Sequence, residues 1–218
     1  YFWSKYGTLI TAAIVAVALI VLGGQYYQKM QRDQALQAGV IYADMEKAHA
    51  ARDGEKLERA FEDLKAQFPK TVYTEQAALL AAQVLELAKP AESKAALKWL
   101  ADNGKQPGYV AIARLRLAAF ALQAKNYDEA LQYLSSGIPS DFAALAADRR
   151  GDIYMAQDKK AEAKAEYLKA YADMPETQSY RGLIEIKLNA LGVDAKAEKP
   201  PAANAKAAAP SAAASAKV

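Results

Sequence analysis

Hydrophobic and polar positions follow two different patterns along this chain. From residue 6 to residue 28 there are 23 residues without a charge, and the run 9–22 is Ala, Val, Ile and Leu apart from Thr11. At a helical rise of about 1.5 Å per residue such a segment spans roughly 34 Å, enough to cross a bilayer core. Tyr1, Phe2, Trp3 and Tyr6 precede it and Tyr26 and Tyr27 follow it, where aromatic rings gather at membrane interfaces. The pattern predicts a single transmembrane anchor over residues 1–28, with residues 6–28 in the lipid bilayer. A cleaved signal peptide is the weaker reading, because bulky residues follow the run and the one Ala-x-Ala string before Lys29, Ala16-Val17-Ala18, lies inside the apolar run and not after it. An upstream piece is expected before Tyr1, so Lys5, Lys29 and Arg32 alone do not orient the span.

Beyond residue 28 the apolar residues recur at helical spacing, and Ala, Leu, Lys, Glu and Gln dominate. Helices are predicted over 34–52, 54–68, 72–88, 91–103, 108–124, 127–137, 140–157, 159–173 and 176–191. Pro69, Pro90, Pro107, Pro139 and Pro175 fall between them, where a missing N–H and a fixed φ begin or end helices. One stretch carries finer grammar. Gly151, Tyr154, Ala163, Tyr167, Ala170 and Pro175 have the spacing of a tetratricopeptide repeat, a helix pair of about 34 residues. Small residues at Gly151 and Ala163 let the two helices of a pair approach, and Tyr154 and Tyr167 fill the space between pairs. Ala147 and Arg150 replace the Trp and Leu of the pattern, so the unit is degenerate. Ala130 and Ala96 stand one and two periods upstream of Ala163, within similar local strings. The fold class expected is all-α: a single transmembrane helix, a tetratricopeptide-like α-solenoid over 29–192, and a disordered tail. That tail, 193–218, is Ala, Lys and Pro with almost no large apolar residue, too little to offset the entropy of ordering.

Charge and chemistry narrow the function classes. Net charge is +3 overall, yet residues 34–192 hold 21 Lys plus Arg against 22 Asp plus Glu. The excess lies in the tail and beside the span, so no basic face for nucleic acid is expected. There is no Cys, and the one histidine, His49, sits in a polar stretch where it reads as solvated. No phosphate-binding Gly loop, Gly-x-Ser-x-Gly elbow or His-Glu-x-x-His pair is present. The expectation is a protein-interaction module without enzymatic activity, cofactor or metal.

In a tetratricopeptide stack the first helices of the pairs line a groove. Counting from Ala130 and Ala163, the candidate groove positions are Ile112, Leu115, Ala119, Leu122, Gln123, Leu145, Asp148, Asp152 and Met155. The set mixes apolar residues with two acids, so an apolar or basic segment is the expected partner. Leu115, Leu122 and Leu145 read equally well as core. Asp148 and Asp152 are expected to face solvent in either case.

Four pieces in order around the span carry a family likeness: Phe2-Trp3-Ser4-Lys5-Tyr6-Gly7, Ala113-Arg114-Leu115-Arg116-Leu117-Ala118, Ala147-Asp148-Arg149-Arg150-Gly151-Asp152 and Glu185-Ile186-Lys187-Leu188-Asn189-Ala190-Leu191. Over roughly residues 1–192 the chain resembles the YfgM-like family, ancillary partners of the bacterial SecYEG translocon. The resemblance implies a single-pass protein of the bacterial inner membrane with its repeat domain in the periplasm. It also implies association with SecYEG, with a PpiD-like periplasmic chaperone and with emerging substrates, and a link to envelope-stress control. An assembly factor for cytochrome c maturation or outer-membrane biogenesis, or a sequestering regulator of envelope-stress signalling, are the alternatives.

Overall fold

The computed structural model describes residues 2–197, and for 2–6, 8–10 and 12–14 it describes the backbone alone. Every regular element among the described residues is helical: α1 (Phe2–Ala50), α2 (Gly54–Gln67), α3 (Val72–Leu85), α4 (Pro90–Asn103), α5 (Pro107–Gln123), α6 (Tyr127–Tyr133), α7 (Ala143–Ala156), α8 (Lys160–Asp173) and α9 (Tyr180–Ala190). These follow the helices expected from the sequence, except that α3 ends at Leu85 and not at 88, that Ser140–Phe142 form a 3-10 turn ahead of α7, and that three further differences have a clear cause. The segment read as an anchor and the first helix of the domain form one helix, α1, because no Pro or Gly interrupts residues 25–38. Helix α6 stops at Tyr133, short of 137: Gly137 adopts φ +69°, and Arg114 donates to the Ser136 carbonyl in the loop. Helix α9 starts at Tyr180 because residues 176–179 are polar and exposed, leaving nothing to bury before that ring.

Among the described residues no helix is long and apolar enough to cross a membrane. The expected span also draws on side chains 6, 8–10 and 12–14, which lie outside the described residues. Residues 198–218 of the expected disordered tail lie outside them too. Its first residues do not: Val193 and Ala195 are buried against the last helices, so the packed part continues past 192.

Four helices close in one way that the sequence pattern does not announce. Arg52, Lys125, Asp158 and Gly192 all adopt left-handed backbone, with φ of 57°, 60°, 58° and 76°. The next residue in each case returns its N–H to a carbonyl five residues back: Asp53 to Ala48, Asn126 to Ala121, Lys159 to Tyr154 and Val193 to Leu188, at 2.8–3.0 Å. This six-residue closure satisfies carbonyls that the helix end would leave open. Three of the four hinge residues carry side chains, which lack glycine's ease in that region. Lys125, Asp158 and Gly192 recur 33 and 34 residues apart, the period already marked by the buried Ala96, Ala130 and Ala163.

The chain divides within α5 into two compact units, 1–110 and 111–218. In the first, α2 buries Leu57, Phe61 and Leu64 at helical spacing, α3 buries Ala77, Ala78, Ala81, Ala82 and Leu85, and α4 adds Ala96, Leu97 and Leu100. Phe61 meets Trp99 edge-on at 6.1 Å. Asp53 caps α2 by accepting the Lys56 N–H at 3.0 Å, and Thr71 caps α3. The buried Glu75 carboxylate takes the backbone N–H groups of Lys105 and Gln106 at 2.9 and 3.1 Å, fixing the turn that leads into α5.

In the second unit one apolar cluster joins α5, α6 and α7 through Ala118, Ala121, Ala130, Leu134, Ala146 and Ile153. Another joins α7, α8 and α9, with Tyr167, Tyr171, Met174, Ile184 and Leu188 as its larger members. Helices α7 and α8 approach closely at Gly151. A Cβ on Gly151 would lie 2.5 and 2.9 Å from Cδ1 and Cζ of Tyr167, a ring that is itself buried. Even one methyl group therefore has no room. Gly151→Ala is expected to overpack the pair and cost about 1–3 kcal/mol, read as a lowered thermal unfolding midpoint; an unchanged midpoint would mean the ring can move aside.

Candidate partner-binding surface

The sequence places nine candidate positions on α5 and α7, and the structure distributes them among different surroundings. Leu115 and Leu122 pack against the α5–α6–α7 cluster, whereas Leu145 packs against the α7–α8–α9 cluster. These three serve as core. Ile112 and Ala119 are half-buried, and Gln123 and Met155 are exposed. Apart from these last two, little of the set is open to a partner.

The two acids depart furthest from expectation. Asp148 is 1% exposed, and Asp152 is mostly buried, although the sequence pattern places both toward solvent. Lys187, reaching from α9, explains the difference. Its ammonium lies 2.8 and 2.9 Å from the two carboxylate oxygens of Asp148 and 2.7 Å from Asp152. Tyr180 Oη donates to the second oxygen of Asp148 at 2.8 Å, and Tyr167 Oη donates to Asp152 at 2.8 Å. The ammonium also stands 5.3 Å from the centre of the Tyr167 ring, in reach of its negative face. Arg149 approaches Asp152 at 3.7 Å from the α7 side. Both carboxylates thus gain charged and neutral donors, which is how ionised groups are held away from water. Reversing Asp148 and Asp152 to Lys would set three ammonium groups together, so that double change reads out folding as well as binding.

Nearby, Arg150 crosses from α7 to α8. It makes a 2.8 Å ion pair with Glu166 and donates to the Leu134 carbonyl at the end of α6. In the sequence Arg150 stands out only as a departure from the repeat pattern, and Lys187, Tyr180 and Glu166 do not stand out as site residues at all. One signal does exist: Lys187 stands next to Leu188 and three residues after Ile184, both fully buried, so a charge there lies at the edge of an apolar stripe.

The first unit has its own concavity, a cleft of about 710 Å³ between the α1–α2 turn and the end of α3. Ala48, Leu57 and Leu85 form its apolar floor, and Arg52, Glu55 and Lys89 stand at the rim. His49 lies at its edge and is exposed. Chemically the cleft suits an apolar side chain of a partner. Among the described residues no group of three or more His, Asp or Glu side chains is placed to hold a metal ion.

Burial, and next the bond to Asp152, raises the Tyr167 hydroxyl well above its ordinary pKa; burial and the bond to Asp148 raise Tyr180 likewise. A raised folded pKa gives stability that is complete below the unfolded value, about pH 10, and lost as pH climbs toward the folded value. Urea unfolding from about pH 9 to about pH 11 should therefore show a steeper loss of stability in the parent chain than in Tyr167→Phe/Tyr180→Phe. Equal slopes would show that the two phenols ionise normally.

Comparison with known proteins agrees with this architecture. The family model described as a tetratricopeptide repeat-like domain matches residues 1–193. A curated protein of Neisseria gonorrhoeae named ancillary SecYEG translocon subunit is 32% identical over 193 residues, covering 88% of this chain and 92% of the relative. A protein of the same name from Escherichia coli K12 is 25% identical over 194 residues, with 88% and 92% covered. No solved structure matches. The chain belongs to the YfgM-like family of tetratricopeptide repeat-like proteins.

Proposed function

We propose that the chain is a membrane-anchored interaction module that works beside the SecYEG translocon, its helical domain on the periplasmic side of the bacterial inner membrane. The observation that carries this reading is the likeness over 88% of this chain to two relatives named ancillary SecYEG translocon subunits, beside a family match that runs from residue 1 to residue 193. Anchoring is supported from the described residues by Val15, Val17, Leu19, Ile20, Val21 and Leu22, all exposed on α1 with no protein surface to cover them. A lipid environment would remove that area from water at about 25 cal/mol per Å². Because α1 continues without a break from this segment into the first unit, it would hold that unit's helices at a fixed stand-off from the bilayer. There they would meet emerging chains or a membrane-bound periplasmic chaperone of the PpiD kind. The role is one of binding, with no reaction step assigned to the chain.

Chemical crosslinking in intact cells, then detergent extraction and recovery of the tagged chain, tests this. Translocon subunits should be enriched over other membrane proteins of similar abundance. Recovery of a haem-lyase component, an outer-membrane assembly protein or a response regulator in their place would move the chain to another envelope system.

A further inference from the structure

Helix α9 leaves one face of the second unit uncovered. Lys125, Asp158 and Gly192 close α5, α7 and α9 alike, so α9 stands in repeat register with α7. The 34 residues from Asp158 to Gly192 carry Asp148 and Asp152 onto Gly182 and Ile186. On α7 that face receives Lys187 from the next helix. On α9, among the described residues, nothing covers it: Ile186 is 65% and Leu183 42% exposed. At about 100° per residue, the open face of α9 holds Gly182, Leu183, Ile186, Asn189 and Ala190, all exposed and none charged. The three charged residues of α9 are engaged elsewhere in the unit. Arg181 donates to the Met174 carbonyl and stands over the Tyr171 ring, Glu185 pairs with Lys196, and Lys187 holds the two acids. The last helix of a solenoid ordinarily turns a polar outer face to water. This one turns an isoleucine and a leucine.

We propose that this face pairs two copies of the chain, α9 against α9 in antiparallel sense, about a two-fold axis at Ile186. The order of bulk along the helix selects a second copy as the occupant. Under such an axis, a residue three or four places before Ile186 meets one three or four places after it in the other copy. Leu183 then packs on Ala190, Asn189 faces Gly182, and Ile186 packs on its own image, so each larger flanking side chain meets a small residue at both ends of the contact. A Cβ added at Gly182 would have nothing within 4 Å, which leaves room for Asn189 there. A parallel pair in register would set Leu183 on Leu183 and Ala190 on Ala190, wide in one layer and narrow in the next. Antiparallel helices also bring the positive end of each macrodipole beside the negative end of the other. An isologous contact of this kind closes at two copies and ends the stack. A helix of 11 residues covers far less than the roughly 1,600 Å² of a standard interface, so the pair is weak and is best read by trapping it.

A chain without cysteine makes the test direct. The full chain carrying Ile186→Cys, purified in mild detergent and oxidised, should give a disulfide-linked product of twice the chain mass. Its yield should be several-fold above that of Ala165→Cys, a position exposed on α8. Leu183→Cys mixed with a differently tagged Ala190→Cys should link to it several-fold more than to its own kind. Adding Ile186→Asp to both copies should lower that mixed yield several-fold, while Ile186→Asp on one and Ile186→Lys on the other should restore it. Because Ile186 is exposed, neither change should move the thermal midpoint of the chain. Equal yields at 165 and 186, self-linking of Leu183→Cys equal to its linking with Ala190→Cys, or no recovery in the mixed charge pair would each overturn the pairing. A product that forms only after residues 198–218 are removed would overturn it too, giving the face to the chain's own tail.

Discussion

The absence of a side chain at Gly151 is the constraint on which the second unit depends. It lets the Tyr167 ring lie directly on the α7 backbone, and that one contact positions the groups around it. With its ring fixed, Tyr167 delivers its hydroxyl to Asp152, one residue along, and turns a face toward Lys187. Lys187 then bridges Asp152 to Asp148, and Tyr180 completes Asp148 from the start of α9. Close packing of two helices thereby becomes the means of docking a third. The apolar cluster below supplies most of the driving force through Ile184, Leu188 and Tyr171. The charges above decide where α9 sits, because a displaced Lys187 would leave Asp148 buried without its cation.

This arrangement changes where a partner should be sought. Acids on first helices of helix pairs invite a reading as binding residues for a basic peptide, yet here they are spent inside the fold. What remains open is of another kind: the apolar-floored cleft at the α1–α2 turn, exposed Gln123 and Met155, and above all the outer face of α1.

Much of the fold is legible in the sequence because its determinants are local. Proline positions, the buried Ala96, Ala130 and Ala163 at repeat spacing, and Gly151 as a point of close helix approach all come from types that have one physical use in a helix pair, whereas the Tyr167 ring lies on Gly151 within the pair and not between pairs as its repeat position suggests. The groove is not legible, for two reasons. Asp148 and Lys187 lie 39 residues apart, and a helix surface rich in Lys and Glu supplies many acids that are merely solvated, so neither residue advertises its burial. Leu115 and Leu145 read alike in the sequence, as groove or as core, yet they pack on different clusters, a distinction made by tertiary contacts. The helix closures at Arg52, Lys125 and Asp158 are hidden because glycine is the usual sign of such a site, and only Gly192 supplies one. The continuity of α1, by contrast, is visible in the lack of any breaker between residues 25 and 38.

Hydrogen exchange on Lys187→Met tests the central claim, that the α7–α8 contact organises α9 through this buried charge bridge. The substitution keeps most of the side chain's apolar volume and removes the cation, a change expected to cost about 3–5 kcal/mol when a buried pair is broken. Amides of Ile184 to Leu188 should lose protection by orders of magnitude, while those of α7 and α8 around Gly151 and Tyr167 keep most of theirs. Retained protection in α9 would show that apolar packing alone docks the helix and that the charge bridge is incidental.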